Sequence, residues 1–240
     1  MRRLTEAWFS FKGIDSRDMG VMIKYMPTRT IPGRNITRKR AAGADGSYIY
    51  GDHTFGDARV QLECDFRDTS RLPEALAWLT GEGELIFSDE PGLIYDASID
   101  KEYSRSSISP RMDGQRLTIS WVCKPFRRMT PEADPIRMTA AGTIRNAGTV
   151  YSRPRITIDA DGDFSMSINT QTMFFSGVED GIILDCELMD AFTADGALLA
   201  NDQVAGEFFR LDEGANIITW LVEAGSEVRS VTIEPRWRCI

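Results

Sequence analysis

The residues that could do chemistry are few and poorly grouped. Histidine, the usual base of a nucleophilic triad, occurs once, as His53 within Gly51-Asp52-His53-Thr54, a segment that reads as a turn. There is no G-x-S-x-G elbow, no phosphate-cradling G-x-x-x-x-G-K-[ST] and no strand-to-helix G-x-G-x-x-G. The cysteines, Cys64, Cys123, Cys186 and Cys239, are spread far apart with no C-x-x-C pair, the pattern of lone thiols rather than of a zinc site or a disulfide framework. Asp159-Ala160-Asp161-Gly162-Asp163 opens like a calcium loop, because alternating carboxylates can converge on a hard cation. Phe164 then stands where such a loop needs Gly and Thr170 where it needs Glu, so a hairpin turn is expected there instead. Carboxylates are plentiful, but a glycosidase pair is defined by separation in space, and abundance does not make one. Trp220 and Trp237 could stack on sugars, although Trp220 follows Ile217 and Ile218 and reads as core. No catalytic residue, metal ligand or cofactor site emerges.

Composition describes a folding chain. It has 240 residues, a hydrophobic fraction of 42%, 20 glycines and 10 prolines, enough for two β domains that each bury a core. No segment approaches the roughly 20 apolar residues of a membrane helix, and Met1-Arg2-Arg3 leads into Leu4-Thr5-Glu6 instead of an apolar signal core, so no membrane association is expected. The net charge of −8 lies entirely beyond residue 135, since residues 1–135 hold 20 cations and 20 acids. Phosphate recognition by that second half is therefore disfavoured.

Hydrophobic periodicity predicts mainly β structure. Phe9 and Phe11 flank Ser10 so that both rings share one face, Gly13 ends that strand, and Met19 to Ile23 reads as a second. Pro27 to Arg40 holds five cations and no acid, with no apolar period. It is expected to be a solvated loop or an arm that meets acids on a neighbouring subunit, with nucleic-acid contact a third reading. A tight turn at Gly43-Ala44-Asp45-Gly46 precedes a strand from Ser47. Val60, Leu62, Cys64 and Phe66 alternate with Gln61, Glu63 and Asp65 as a half-buried strand. One helix of about three turns is expected, capped by Asp68 or Ser70, with Leu72, Ala75, Leu76 and Leu79 on its apolar stripe and Gly81 as its stop. Leu93–Ile99 and Leu117–Trp121 read as strands separated by a polar loop from Ser104 to Gln115. The proline-rich stretch 124–135 is the expected boundary between domains 1–130 and 136–240. Beyond it, short strands at 155–158, 164–168, 182–188, 208–211, 217–222 and 231–233 predict an antiparallel sandwich, with a turn at Asp161-Gly162 among others.

The opening motif, Phe9, Phe11, Gly13, Ser16, Gly20 and Val21, resembles the start of the distal tail (Dit) proteins of long-tailed siphovirus phages. The Gly43 to Gly46 turn after a basic loop fits that pattern, as does the order of strands, helix and strands. So do Asn146-Ala147-Gly148 with Pro154 and Arg155–Ile158, and Gly214-Ala215-Asn216-Ile217-Ile218. The similarity runs from Trp8 to about Trp237. The resemblance implies a barrel-like N-terminal β domain with one helix and a galectin-like C-terminal sandwich. It also implies a virion protein, assembled in the host cytoplasm, that forms a homohexameric ring at the distal end of the tail. Its partners would be the tail tube, a tail-tip or tail-associated protein and in some cases a receptor-binding protein. DNA would cross the channel without specific binding. The motif residues then serve structure, and Arg34, Arg38, Lys39 and Arg40 are candidates for the subunit contact. A carbohydrate-binding sandwich for host recognition is the alternative function.

Overall fold

The computed structural model describes residues 7–43, 45–66, 69–99, 104–109 and 112–240; the first residues, Ala44 and Asp68 lie outside that set, as does the side chain of His53. Two compact units are present, Met1–Arg127 with Ile240, and Arg128–Cys239.

In the first unit β1 (Phe9–Phe11), β2 (Ile14–Asp15) and β3 (Val21–Ile23) are followed by β4 (Thr28–Arg29), β5 (Arg34–Lys39), β6 (Tyr48–Phe55) and β7 (Ala58–Phe66). After α1 (Leu72–Trp78) come β8 (Gly81–Phe87), β9 (Leu93–Ile99), β10 (Ser104–Ser109) and β11 (Met112–Cys123). The main sheet runs β2-β1-β8-β9-β11-β7-β3, with β10 on β11 and β4 on β7. β7 and β11 pair over nine residues, and the alternation read from the sequence is the one observed: Val60, Leu62, Cys64 and Phe66 are buried, as are Leu117, Ile119 and Trp121. The Cys64 and Cys123 thiols are pushed up to about 12, first by burial and then by nearby acids, the behaviour of inert core thiols.

Three expectations change here. The helix is seven residues long, preceded by a 3₁₀ turn at Thr69–Arg71. Its N-cap is Arg71, without a side-chain cap, so Ser70 does not serve as one. It can be short and uncapped because Leu72, Ala75 and Trp78 bury it against the sheet, and β8 starts at once at Gly81, whose φ of +69° suits glycine. The polar stretch expected as a loop holds strand at 104–109 and from 112 onward: β10 pairs with β11 along a solvated edge, where no apolar period is required. The basic 27–40 stretch, expected as a loop or an arm, holds the strands β4 and β5, as described below.

The second unit begins as β12 (Arg127–Met129) leads into β13 (Ile136–Met138), β14 (Gly142–Arg145), β15 (Arg155–Ile168), β16 (Gln171–Val178), β17 (Ile182–Asp185), β18 (Asp190–Thr193), β19 (Val204–Gly206), β20 (Ala215–Val222), β21 (Glu227–Glu234) and β22 (Arg238–Cys239). β15 organises it. Its first half pairs with β17 and β21, and its second half with β16 and β20, so one strand of 14 residues belongs to both layers. Ile156, Ile158, Ala160, Phe164, Met166 and Ile168 face one core throughout.

The expected turn at Asp161-Gly162 is therefore a bulged corner inside a strand, with register shifts on either side. Its carboxylates have partners of their own. Arg229 reaches Asp159 at 2.6 Å and Asp161 at 2.5 Å, the backbone N–H of Asp180 donates to Asp161, and that of Gly177 donates to Asp163. The hydrogen bond from Arg229 holds the Asp161 carboxyl below its ordinary range. Among the described residues no three His, Cys, Asp or Glu side chains converge as metal ligands, and no helix is long and apolar enough to cross a membrane. Residues 208–211 contribute only the Ser152–Leu211 bridge rather than a strand. Trp220 is half-buried at the margin of the core, whereas Trp237 is buried.

A second anchor of this unit is Asp185, which is buried and accepts both ends of the Arg236 guanidinium at 2.9 Å. Burial raises its pKa, but Arg236 and the N–H groups of Leu188 and Glu187 more than offset that, so the carboxyl sits below the ordinary range. A depressed carboxyl stabilises the fold above the unfolded value of about 3.9 and loses that contribution as pH falls through the lower folded value. In urea melts at stepped pH, Asp185→Asn should flatten the acid limb of stability below about pH 4. An unaltered limb would rule out Asp185 as its source.

Candidate assembly surface

Phe9 and Phe11 are both fully buried and sit at the centre of the first core. The Phe9 ring stacks on Trp78 at 5.5 Å with 7° between planes, and meets Trp121 edge-on at 5.5 Å. Phe11 packs on the same two indoles, and Trp78 Nε1 donates to the Phe11 carbonyl at 2.9 Å, which ties the helix to β1. Gly13 and Gly20 take φ of +75° and +71°, and these reverse the chain on either side of Ser16. Ser16 is fully buried. Its Oγ accepts from the Phe9 N–H at 3.1 Å, its own N–H donates to the Phe9 carbonyl, and its carbonyl accepts from Val21. Since β2 and β3 are the two ends of the sheet, this five-residue turn draws the ends together and curls the sheet around its aromatic core. Phe9, Phe11, Gly13, Ser16 and Gly20 are thus assembled in one place, and their work there is architectural.

The cations belong to a different feature. β5 and β6 form a two-stranded sheet of their own, and every residue of β5 is exposed. This ribbon continues the β4–β7 ladder. Thr28 pairs with Gln61, Thr30 N–H donates to the Arg59 carbonyl, Gly56 N–H donates to Gly33, and Arg34 pairs with Phe55, all in one register. A bulge then shifts the pairing to Ile36 with Gly51, where a Cβ would lie 2.6 Å from the Asn35 carbonyl. The arm is an excursion of the sheet's own ladder. Arg38 pairs with Ile49 and shares a face with Ile36; Lys39 pairs with Tyr48, and its ammonium lies over Tyr50 on the opposite face. Tyr48, Ile49 and Tyr50 are each more than half exposed. Among the described residues, Arg34, Arg38, Lys39 and Arg40 make no ion pair. Arg34 lies over the Phe55 ring, and Phe55 packs edge-on against Phe126.

The sheet next to the arm's base is braced by charge. Arg29 pairs with Asp89 at 2.8 Å and Glu90 at 3.3 Å and lies over Phe87; Glu90 also accepts from Tyr95 and Arg127. Burial and the bond to Glu90 raise the Tyr95 phenol. Sequence reasoning missed this cluster because its members are scattered along the chain. It also missed β5, although the Gly43 to Gly46 turn and the following strand were visible signals for a hairpin.

No protein-family model matches the chain, and no curated protein matches it by sequence. In three dimensions it is similar to a crystal structure of SPP1 Dit (gp 19.1), aligned with a TM-score of 0.74 at 14% identity over 95% of this chain and 97% of that one. The chain shares the fold of that protein. The SPP1 protein is described as a paradigm of the hub adsorption apparatus in phages infecting Gram-positive bacteria. In this fold the opening motif is the seam of the first sheet. Ser16→Ala should leave the buried Phe9 N–H without its acceptor and cost about 1–3 kcal/mol in denaturant unfolding, while Ser16→Thr, which keeps the hydroxyl, should recover part of the loss. An alanine variant as stable as the parent would show that the seam does not depend on this bond.

Proposed function

We propose that the chain is a structural hub of a siphovirus tail, acting without catalysis or cofactor. Copies close a homohexameric ring through their N-terminal units, the channel passes DNA without sequence-specific contact, and the C-terminal sandwiches project outward. The ring joins the last tube ring to a tail-tip or tail-associated protein at the distal end of the virion, with receptor-binding proteins as further partners. The observation that carries this reading is the fold likeness to a hub protein over nearly the full length of both chains, so that neither unit has to be explained separately.

The arm agrees with it. A two-stranded ribbon solvated on both faces buries too little to be stable by itself, and a neighbouring subunit supplies the missing surface. Closed rings use heterologous contacts, one face of a subunit meeting a different face of the next. An arm on one side of the fold is suited to that geometry.

Light scattering of the purified protein, with negative-stain images of the same sample, tests the reading. Particles of about six subunits around an open centre are expected. A strict monomer at every concentration, with no ring in the images, would defeat it.

A further inference from the structure

The two outer faces of the second unit differ in charge. The layer built on the first half of β15 carries Arg137, Arg155, Asp159 and Glu234 on its outer side. The layer built on the second half carries no charge across its centre. Leu221, Ser165 and Phe174 stand opposite one another on β20, β15 and β16, and Thr219, Ser167 and Thr172 form the next row. Ile217 follows on β20, and Leu221, Phe174 and Ile217 are 76%, 61% and 59% exposed. The unit carries the chain's whole net charge of −8, so two copies repel across an acidic surface, and a charge-depleted apolar face is where they can meet.

The ends of this face are charged, and oppositely. On β14, Arg145 pairs with Ala215 at the start of β20 and is exposed, while its neighbour Ile144 is buried. At the far end the Glu223 N–H donates to the Asp163 carbonyl, which continues the β15–β20 ladder by one residue and sets two carboxylates side by side. Asp163 accepts from the Gly177 N–H, and Asp212, near the Arg145 end, is taken up by Arg210 at 2.9 Å. Among the described residues neither Arg145 nor Glu223 has an ion pair. From Ala215 to Glu223 the row spans about 27 Å, at roughly 3.3 Å per residue. It reads cation, Ile217, Thr219, Leu221, acid. Turned end for end, it matches itself in apolar residues and complements itself in charge.

We infer that this face binds a second copy of the chain through a two-fold contact, with β20 of each copy running opposite to β20 of the other. Ile217 then meets Leu221, Thr219 lies near the axis, and Arg145 of one copy meets Glu223 of the other at both ends. The parallel arrangement would set Arg145 against Arg145 and Glu223 against Glu223, which charge disfavours. A face about 27 Å long and three strands wide, with strands about 4.8 Å apart, is smaller than a standard interface, so the pairing is reversible with concentration. A two-fold contact cannot join neighbours around a cyclic ring. The second copy therefore comes from outside any such ring, and the inference does not depend on the ring reading.

Sedimentation velocity of the full chain over a wide range of concentration tests it, with circular dichroism and thermal melts checking that each variant folds as the parent does. The parent's mass should double as concentration rises, from whatever assembly it forms when dilute. Leu221→Asp puts an acid into the apolar row and should raise the concentration of half-doubling about tenfold or more. Arg145→Glu and Glu223→Arg, made singly, each set like charges together at both ends and should weaken pairing about tenfold; made in one chain, they restore opposite charges and should return it to near the parent. A folded double variant no better than the singles overturns the proposal. So does a parent of constant mass, or one whose doubling is indifferent to Leu221→Asp. A parent of constant mass that is retarded in a dextran gel, and no longer so after Leu221→Asp, gives the face to a neutral sugar instead. A mass that doubles from a monomer, with the variants behaving as described, supports the pairing and defeats the ring.

Discussion

The packing of Phe9 and Phe11 between Trp78 and Trp121 is the constraint on which the first unit depends. A single sheet with one short helix has only one apolar face, and it can enclose that face only by curling. The four rings fill the space inside the curl, and the indole N–H of Trp78 fastens the helix to β1 as a lid. The Ser16 turn brings the sheet's two ends together at the point where Phe9 enters the core. Once the inner face is spent in this way, contacts with other molecules must use the outer face and whatever projects from it. The β4–β7 ladder projects the arm.

Much of this was legible in the sequence wherever one face is dry and the other wet. The alternation through Val60 to Phe66 and Leu117 to Trp121 marked the central pair of strands, and Phe9 and Phe11 marked the core. Legibility failed where that contrast disappears. β5 is wet on both faces, so Arg34 to Lys39 shows no apolar period and was not distinguishable from a loop. β10 is hidden for the same reason. The corner of β15 failed in another way: Asp161-Gly162 has the composition of a turn, and glycine at φ +88° is what a turn would use, but a bulge requires the same backbone. A Cβ at Gly162 would lie 2.3 Å from Ser226 Oγ, and that close approach is a tertiary fact no local reading supplies. The four arm cations were visible from the start; their placement on two opposite faces of a ribbon was not.

The charge layout also explains why an exposed ribbon is tolerable in solution. Open β edges invite pairing with other edges, and cations along an edge strand are a known defence. Two arms approaching each other would place Arg34, Arg38 and Lys39 against the same residues, so a symmetric arm-to-arm pair repels itself. These side chains therefore disfavour a two-fold pairing of arms. The ring proposed above needs heterologous contacts, and in it the arm's charge would bear on symmetry as much as on strength.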